Sequence, residues 1–418
     1  MTIRKLLGIT RDWRLYKMAY ENSEIKYSWF GNIIREKESK GIKQEHVSPQ
    51  IIRDDNLYGK HLSDWLTTLE EDFKEAKADQ QYLDIINEFK TGIVDILGKY
   101  HEGNIGEAYE RMKIIISNLI EEPADLAVSA IQNSFAFNNV KDVLDGSVKN
   151  IQIEFFRARV SDKYCVFDRN EMLHIPFDMR GRVSSTRFSI PGLPCLYLAT
   201  TSYCCWLELR TPADHQFNVS PVRVNEKNRI LNLTMSADMF EYIIEITGAE
   251  KSANKHTIEA LKLWILSYAS SFKIKSDNRS FKEEYIIPQL IMLVSRDLGL
   301  DGVSYYSKQV EDDRFAHMLC VNLALFAKYN GEKRFSKICK DIEIAPSYNY
   351  AMFKQLGHSE KYKSTSVELH SNGGNSRMIG NFDRQNEYQS TEFYNFDRYL
   401  FSHIAREIKK VDIDKENE

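Results

Sequence analysis

The chain has few of the features that usually organise a small domain or mark a membrane or nucleic-acid protein. Six cysteines, Cys165, Cys195, Cys204, Cys205, Cys320 and Cys339, are scattered through 418 residues, and no two form a C-x-x-C pair. Cys204 and Cys205 are adjacent, a poor geometry for bridging each other, and no histidine cluster stands near them at zinc-like spacing. No metal site and no disulfide framework is expected, and the simplest setting is a reducing compartment. Long apolar runs are also missing: charged residues interrupt MTIRKLLGITRDWRLYK, and no segment approaches the length needed to span a bilayer. These absences predict a cytoplasmic protein without a membrane partner. An excess of basic charge is absent too, with 56 Lys and Arg against 60 Asp and Glu and a net charge of −4, which argues against a nucleic-acid partner. No G-x-G-x-x-G follows a strand candidate, so a Rossmann hydride-transfer site is not indicated, and no internal repeat is found.

What is present divides by texture. Residues 1–148 read as helical. GKHLSDWLTTLEEDFKEAKAD places Leu62, Trp65, Leu66, Leu69 and Phe73 at three- and four-residue spacing, and a second helix from about Tyr82 to Tyr100 carries Leu83, Ile86, Phe89, Ile93 and Ile96. A third follows Asn104 through Ala108, Met112, Ile115 and Ile116. Near residue 149 the pattern changes to short β-prone runs such as IQIEFFRARV, punctuated by Gly and Pro. Helices from Asn254 to Phe272 and from Pro288 to Gly299 interrupt the strands. Residues 346–418 form a C-terminal extension: 359–397 are polar and Gly/Asn-rich and suit an exposed segment, and NFDRYLFSHIAREIKK closes the chain as a helix. The expected fold class is α+β, an all-α N-terminal domain followed by a mixed α/β domain over 149–345.

The chemistry concentrates in SSTRFSIPGLPCLYLATTSYCCWLELR. CLYLA reads as a strand, TTS as a helix N-cap and YCCWLELR as the first turns of a helix in which Glu208 shares a face with Cys204 and Cys205. Arg187 and Ser189 flank Phe188 on an expected strand and so point to one side, as do Arg157 and Arg159 in FFRARV. Several arginines, an aromatic and one carboxylate suit a ligand with phosphates, a flat ring and a sugar or cation. NAD has all of these, and a carboxylate can stabilise the oxocarbenium-like charge that develops as its nicotinamide–ribose bond breaks.

FFRARV, EMLHIPF, TRFSIPGLPCLYLATTSYCCWLEL, EYIIPQL and DGVSYYS, in that order, resemble the RES domain, a toxin-associated family named for an Arg, a Glu and a Ser. The resemblance covers roughly residues 150 to 345 and puts the namesake residues at Arg187, Glu208 and Ser307. It implies an ADP-ribosyltransferase-like α/β domain that consumes NAD, by phosphorolysis with inorganic phosphate as co-substrate or by hydrolysis, and needs no resident cofactor. Arg157 and Arg187 would then bind phosphate or orient the ligand, Tyr197 would stack on nicotinamide, Glu208 would stabilise the transition state and Ser307 would support or hydrogen-bond within the pocket. Arg159, Ser189 and His174 complete the expected substrate-binding set. More loosely, the N-terminal region resembles the HEPN-like helical domain found ahead of RES domains, with a regulatory or dimerising role. The HEPN R-x4–6-H motif is absent, since Arg53 and His61 have seven residues between them. A toxin or antiphage defence effector, restrained by an antitoxin or other inhibitory partner, is the expectation. Transfer of ADP-ribose to a macromolecule and non-catalytic sensing of NAD are the alternatives.

Read from the residues alone, each position has a structural alternative. Arg157 and Arg159 suit a solvated strand face, Tyr197 a core tyrosine, Glu208 an exposed helix charge, Ser307 a turn and His174 a satisfied core histidine. Cys204 and Cys205 lack a histidine base and read as small packing residues.

Overall fold

The computed structural model describes residues 46, 50–52, 58–121, 126–149, 152–249, 252–274, 279–310, 319–356, 378–379 and 386–418. The expected helicity of 1–45, Arg53 of the Arg53/His61 pair and the NGGN at 372–375 lie outside these residues. The fold is mixed α/β, with an N-terminal helical region followed by a region built on a large sheet.

Helices α1 (Tyr58–Glu75), α2 (Gln80–His101) and α3 (Ile105–Glu121) arise where the apolar spacing places them. α2 begins at Asp79, whose carboxylate accepts from Gln81 N. Their buried faces do not close on one another alone. They share a single core with α6 (Ala237–Thr247), α7 (Lys255–Ala269) and α8 (Ile286–Asp297), counted after the short α4 (Val140–Leu144) and α5 (Ser202–Glu208). Trp65 stacks on Tyr268 with ring centroids 3.6 Å apart and meets Trp264 edge-on at 5.8 Å, and Phe73 and Tyr82 close around Phe240. Full burial of each such side chain contributes roughly 1.5–3 kcal/mol before cavity effects. The Pro288 helix starts two residues earlier than the proline suggests, because the 3₁₀ turn Glu283–Tyr285 leads directly into it; Gly299 stops it at φ +83°.

The strands are β1 (Ile51–Ile52), β2 (Val128–Ala130), β3 (Glu154–Val160), β4 (Cys195–Ala199), β5 (Phe217–Arg223), β6 (Arg229–Leu233), β7 (Lys273–Ile274), β8 (Gly302–Tyr306), β9 (Val321–Phe326), β10 (Glu343–Ile344), β11 (Tyr348–Asn349), β12 (Met378–Ile379), β13 (Asn386–Glu387) and β14 (Lys409–Lys410). The main sheet runs β14-β10-β5-β3-β4-β9-β8-β6-β2, with β11 also on β5; the pairing is antiparallel except for β6 with β8. β2 interrupts the region expected to be purely helical. The buried Glu259 carboxylate accepts from Leu126 N and Ala127 N, and Asn232 donates to Leu126 O, which holds this segment extended at the sheet edge.

The main sheet nearly divides between β3 and β4. β3 pairs with β5 along seven residues but meets β4 only at Phe156 and Ala199. Where the ladder stops, the Arg157 side chain donates to Tyr197 O at 3.1 Å, and α5 packs over the division, with the Cys205 thiol donating to Phe156 O. Across β8 and β9 the backbones run close at Gly302, where a Cβ would stand 2.5 Å from Ala324 O.

The C-terminal region corrects one expectation. Within the stretch read as exposed, Tyr388, Phe396 and Asp397 are buried. α10 (Glu392–Ser402), which follows the short α9 (Tyr350–Leu356), packs Phe396 and Leu400 into a core with Phe156, Cys204, Phe217 and Tyr350. This is the helix expected from NFDRYLFSHIAREIKK, begun three residues earlier at Glu392 and packed inward by its aromatic face. The expected closing helix is also shorter: the chain leaves it at Ser402, adds β14 to the sheet and ends in α11 (Ile413–Asn417). No helix among the described residues is long and apolar enough to cross a membrane.

Candidate active site

Strand alternation decides which residues can meet. On β4, Leu196 and Leu198 enter one core with Phe155, Leu323 and Leu325, so Cys195, Tyr197 and Ala199 face the other way. Register then aligns Tyr197 with Ala324, Ala199 with Asn322 and Asn322 with Tyr305, putting Tyr197, Asn322 and Tyr305 on one face. α5 lies on that face. Thr201 caps it, accepting from Cys204 N at 3.0 Å and donating to Leu319 O at 2.6 Å, as the TTS sequence predicts. At its far end the half-buried Glu208 receives Asn322 Nδ2 on Oε1 at 2.6 Å.

Arg187 reaches the same face by a different route from the expected one. It sits in a tight turn closed by pairing of Thr186 with Ser189, not on a strand. Gln289 of α8 fastens that turn, its Nε2 lying 2.9 Å from Ser185 Oγ, 2.9 Å from Thr186 O and 3.1 Å from Ser189 O. The Tyr197 hydroxyl closes it from below, 2.7 Å from both Thr186 Oγ1 and Ser189 Oγ. The Arg187 guanidinium is 6% exposed, donates to Tyr306 O at 2.7 Å and to Ser271 Oγ at 2.9 Å, and lies 4.7 Å from the Tyr305 ring centroid. Among the described residues its buried Nε has no partner. Burial weakens its hold on the proton, while Tyr305 and Glu208 act the other way. The same carboxylate, after burial itself, disfavours ionisation of Tyr305. Ser307 follows β8, its N–H donating to Cys320 O at 2.9 Å and its Oγ accepting from Gln309 N.

The other expected residues stand on the opposite side. Phe156 pairs with Ala199, so Arg157 and Arg159 extend from the face that carries Leu198, away from Tyr197. Burial lowers the Arg157 guanidinium to about 10, with Arg159 adding to the effect. Arg159 donates to Glu171 O at 2.7 Å and lies over the Phe167 ring. His174 is 1% exposed and has both ring nitrogens engaged: Nδ1 donates to Ile175 O and Nε2 accepts from Ser336 N. Burial lowers it to about 4, so it stays neutral. Arg187, Tyr197, Ser189 and Glu208 gather at one place; Arg157, Arg159 and His174 belong to the loop packing behind the sheet.

Burial pushes the Cys204 and Cys205 thiols upward, which keeps them un-ionised and poor nucleophiles. All six cysteines are free, and among the described residues no group of three or more His, Cys, Asp or Glu side chains could hold a metal ion. Asn322, Gln289 and Tyr305 escaped the sequence reading. Asn322 had left a signal, as the one polar residue in the strand VNLALF.

The class so defined is a mixed α/β protein whose sheet divides at its centre, with a carboxylate, a buried guanidinium and two phenols gathered on one face beside the division. A search of curated proteins matches this chain to Putative toxin YopC of Bacillus subtilis (strain 168), 37% identical over 161 residues. The match covers 37% of this chain and 36% of that protein's length. No family model matches the chain, and no solved structure matches it.

Proposed function

We propose that the protein is an enzymatic toxin that cleaves NAD at the nicotinamide–ribose bond, passing the ribosyl group to inorganic phosphate or water. The observation that carries this reading is the placement of Glu208, held by Asn322 on the sheet face that also carries Tyr197, Tyr305 and the Arg187 guanidinium. A fixed carboxylate stabilises the positive charge that grows on the ribose carbon as nicotinamide departs. The phenol rings offer a flat wall to the leaving pyridine, and the guanidinium offers charge to a phosphate. The order of the five sequence blocks that resemble the RES domain supports the same reading, and the name of the Bacillus subtilis relative supports the toxin role. An antitoxin is the partner this role brings with it.

The test is to incubate purified protein with NAD, with and without phosphate, and to follow nicotinamide by chromatography. Release by the wild type and at least a 100-fold loss in Glu208→Gln are expected, about the effect of removing one electrostatic stabiliser of a transition state. Equal release by Glu208→Gln would refute the role of Glu208, and no release by the intact protein would refute the activity.

A further inference from the structure

Two lysines meet one aromatic ring beside this site. The Lys308 ammonium follows Ser307 directly, donates to the Tyr285 hydroxyl at 3.1 Å and lies 4.3 Å from the centroid of the same ring. Lys282 approaches that ring at 5.1 Å. Among the described residues neither lysine forms an ion pair. Of the acidic neighbours of Tyr285, Glu284 pairs with Arg279 at 2.7 Å through one oxygen, and Glu283 lies 3.3 Å from the His101 ring.

Arg187, whose buried Nε has no partner among the described residues, adds a third positive charge close enough to act on Lys308. Burial lowers Lys308 to about 7; Arg187 and Lys282 press the same way, while Glu284 and Glu208 oppose them. An ammonium held half-buried beside other cations costs free energy that a bound anion recovers.

We propose that Lys308, Lys282 and Tyr285 form a phosphate-binding mouth to the site, with Arg187 behind it. The inference rests on the reading of the site given above and adds where that ligand's phosphate is held. A phosphoryl group there would accept from both ammonium groups and from the Tyr285 hydroxyl. Its source is either the pyrophosphate of the dinucleotide or inorganic phosphate as acceptor, since both present the same oxygens. Arg157 and Arg159 have no part in it.

Titration calorimetry of the full chain at pH 7.5 with ADP-ribose and with inorganic phosphate tests this without turnover. At least one of the two is expected to bind, with affinity falling about 10- to 100-fold in Lys308→Met and recovering largely in Lys308→Arg, the range for a lost charge-assisted hydrogen bond. Binding should also take up part of a proton, seen as a dependence of the heat on the buffer's ionisation enthalpy, because a phosphate beside Lys308 restores its charge. Competition between the two ligands identifies the pyrophosphate site, and simultaneous binding identifies the acceptor site. Unchanged affinity in Lys308→Met, or no binding of either ligand to the wild type, overturns the proposal. Nicotinamide release with unchanged Lys308→Met binding would sink this inference while leaving the activity standing.

Discussion

Asp397 should make the docking of the C-terminal helix depend on pH. Its carboxylate is 7% exposed, receives Ser202 N at 3.1 Å from the first turn of α5 and also accepts from the Tyr388 hydroxyl. Burial outweighs these bonds and raises it from 3.8 to about 7. An acid that binds its proton more tightly in the folded chain gives stability that is complete below its unfolded value and lost as pH rises through the folded one. With these two values, the loss between pH 5 and pH 8 is about 2.5 kcal/mol. Asp397→Asn keeps an acceptor for Tyr388 and cannot titrate. Its stability should therefore fall by about 2.5 kcal/mol less than that of the wild type over the same interval. Urea unfolding at the two pH values, followed by tryptophan fluorescence, reads this directly, since Trp206 of α5 packs on Phe393 of α10 with centroids 5.4 Å apart. If wild type and variant lose the same stability, the Asp397 carboxyl is not held protonated by the fold and the reasoning is wrong.

His174 carries a dependence of the opposite sign. Its folded value of about 4 lies below the ordinary 6.5, so its contribution is complete above pH 6.5 and lost as pH falls toward 4. His174→Gln should lose less stability than the wild type between pH 7 and pH 4.5, measured by urea midpoint; an identical loss would show that the ring is not buried neutral. Asn322→Ala removes the donor to Glu208 Oε1, and nicotinamide release should drop about 10- to 100-fold with NAD binding largely kept. Unchanged turnover would mean that Asn322 does not orient the carboxylate. Trp65→Ala, which empties the stack on Tyr268, should destabilise the folded chain by about 3–5 kcal/mol in the same urea assay.

Local pattern was enough for some of the elements that contribute to the site. Three- and four-residue apolar spacing marked α1 to α3, alternation marked β3 and β4, and Thr201 and Asn254 marked the starts of α5 and α7, because these signals act within one or two turns of chain. Glu208 could be placed on the Cys204 and Cys205 face by helical spacing alone. Alternation also put Arg157 and Arg159 together, but it could not say which side of the sheet they take relative to Tyr197. That is decided by one long-range pairing, Phe156 with Ala199, and a shift of one residue would have reversed it. The turn that carries Arg187 likewise depends on Gln289, a hundred residues away, and the pairing of Glu284 with Arg279 rather than with Lys308 is a choice between partners far apart in the chain's local pattern. Periodicity fixes what each element presents. Which presented groups meet, and which remain unpaired, is set by register and side-chain competition that exist only once the chain has closed on itself.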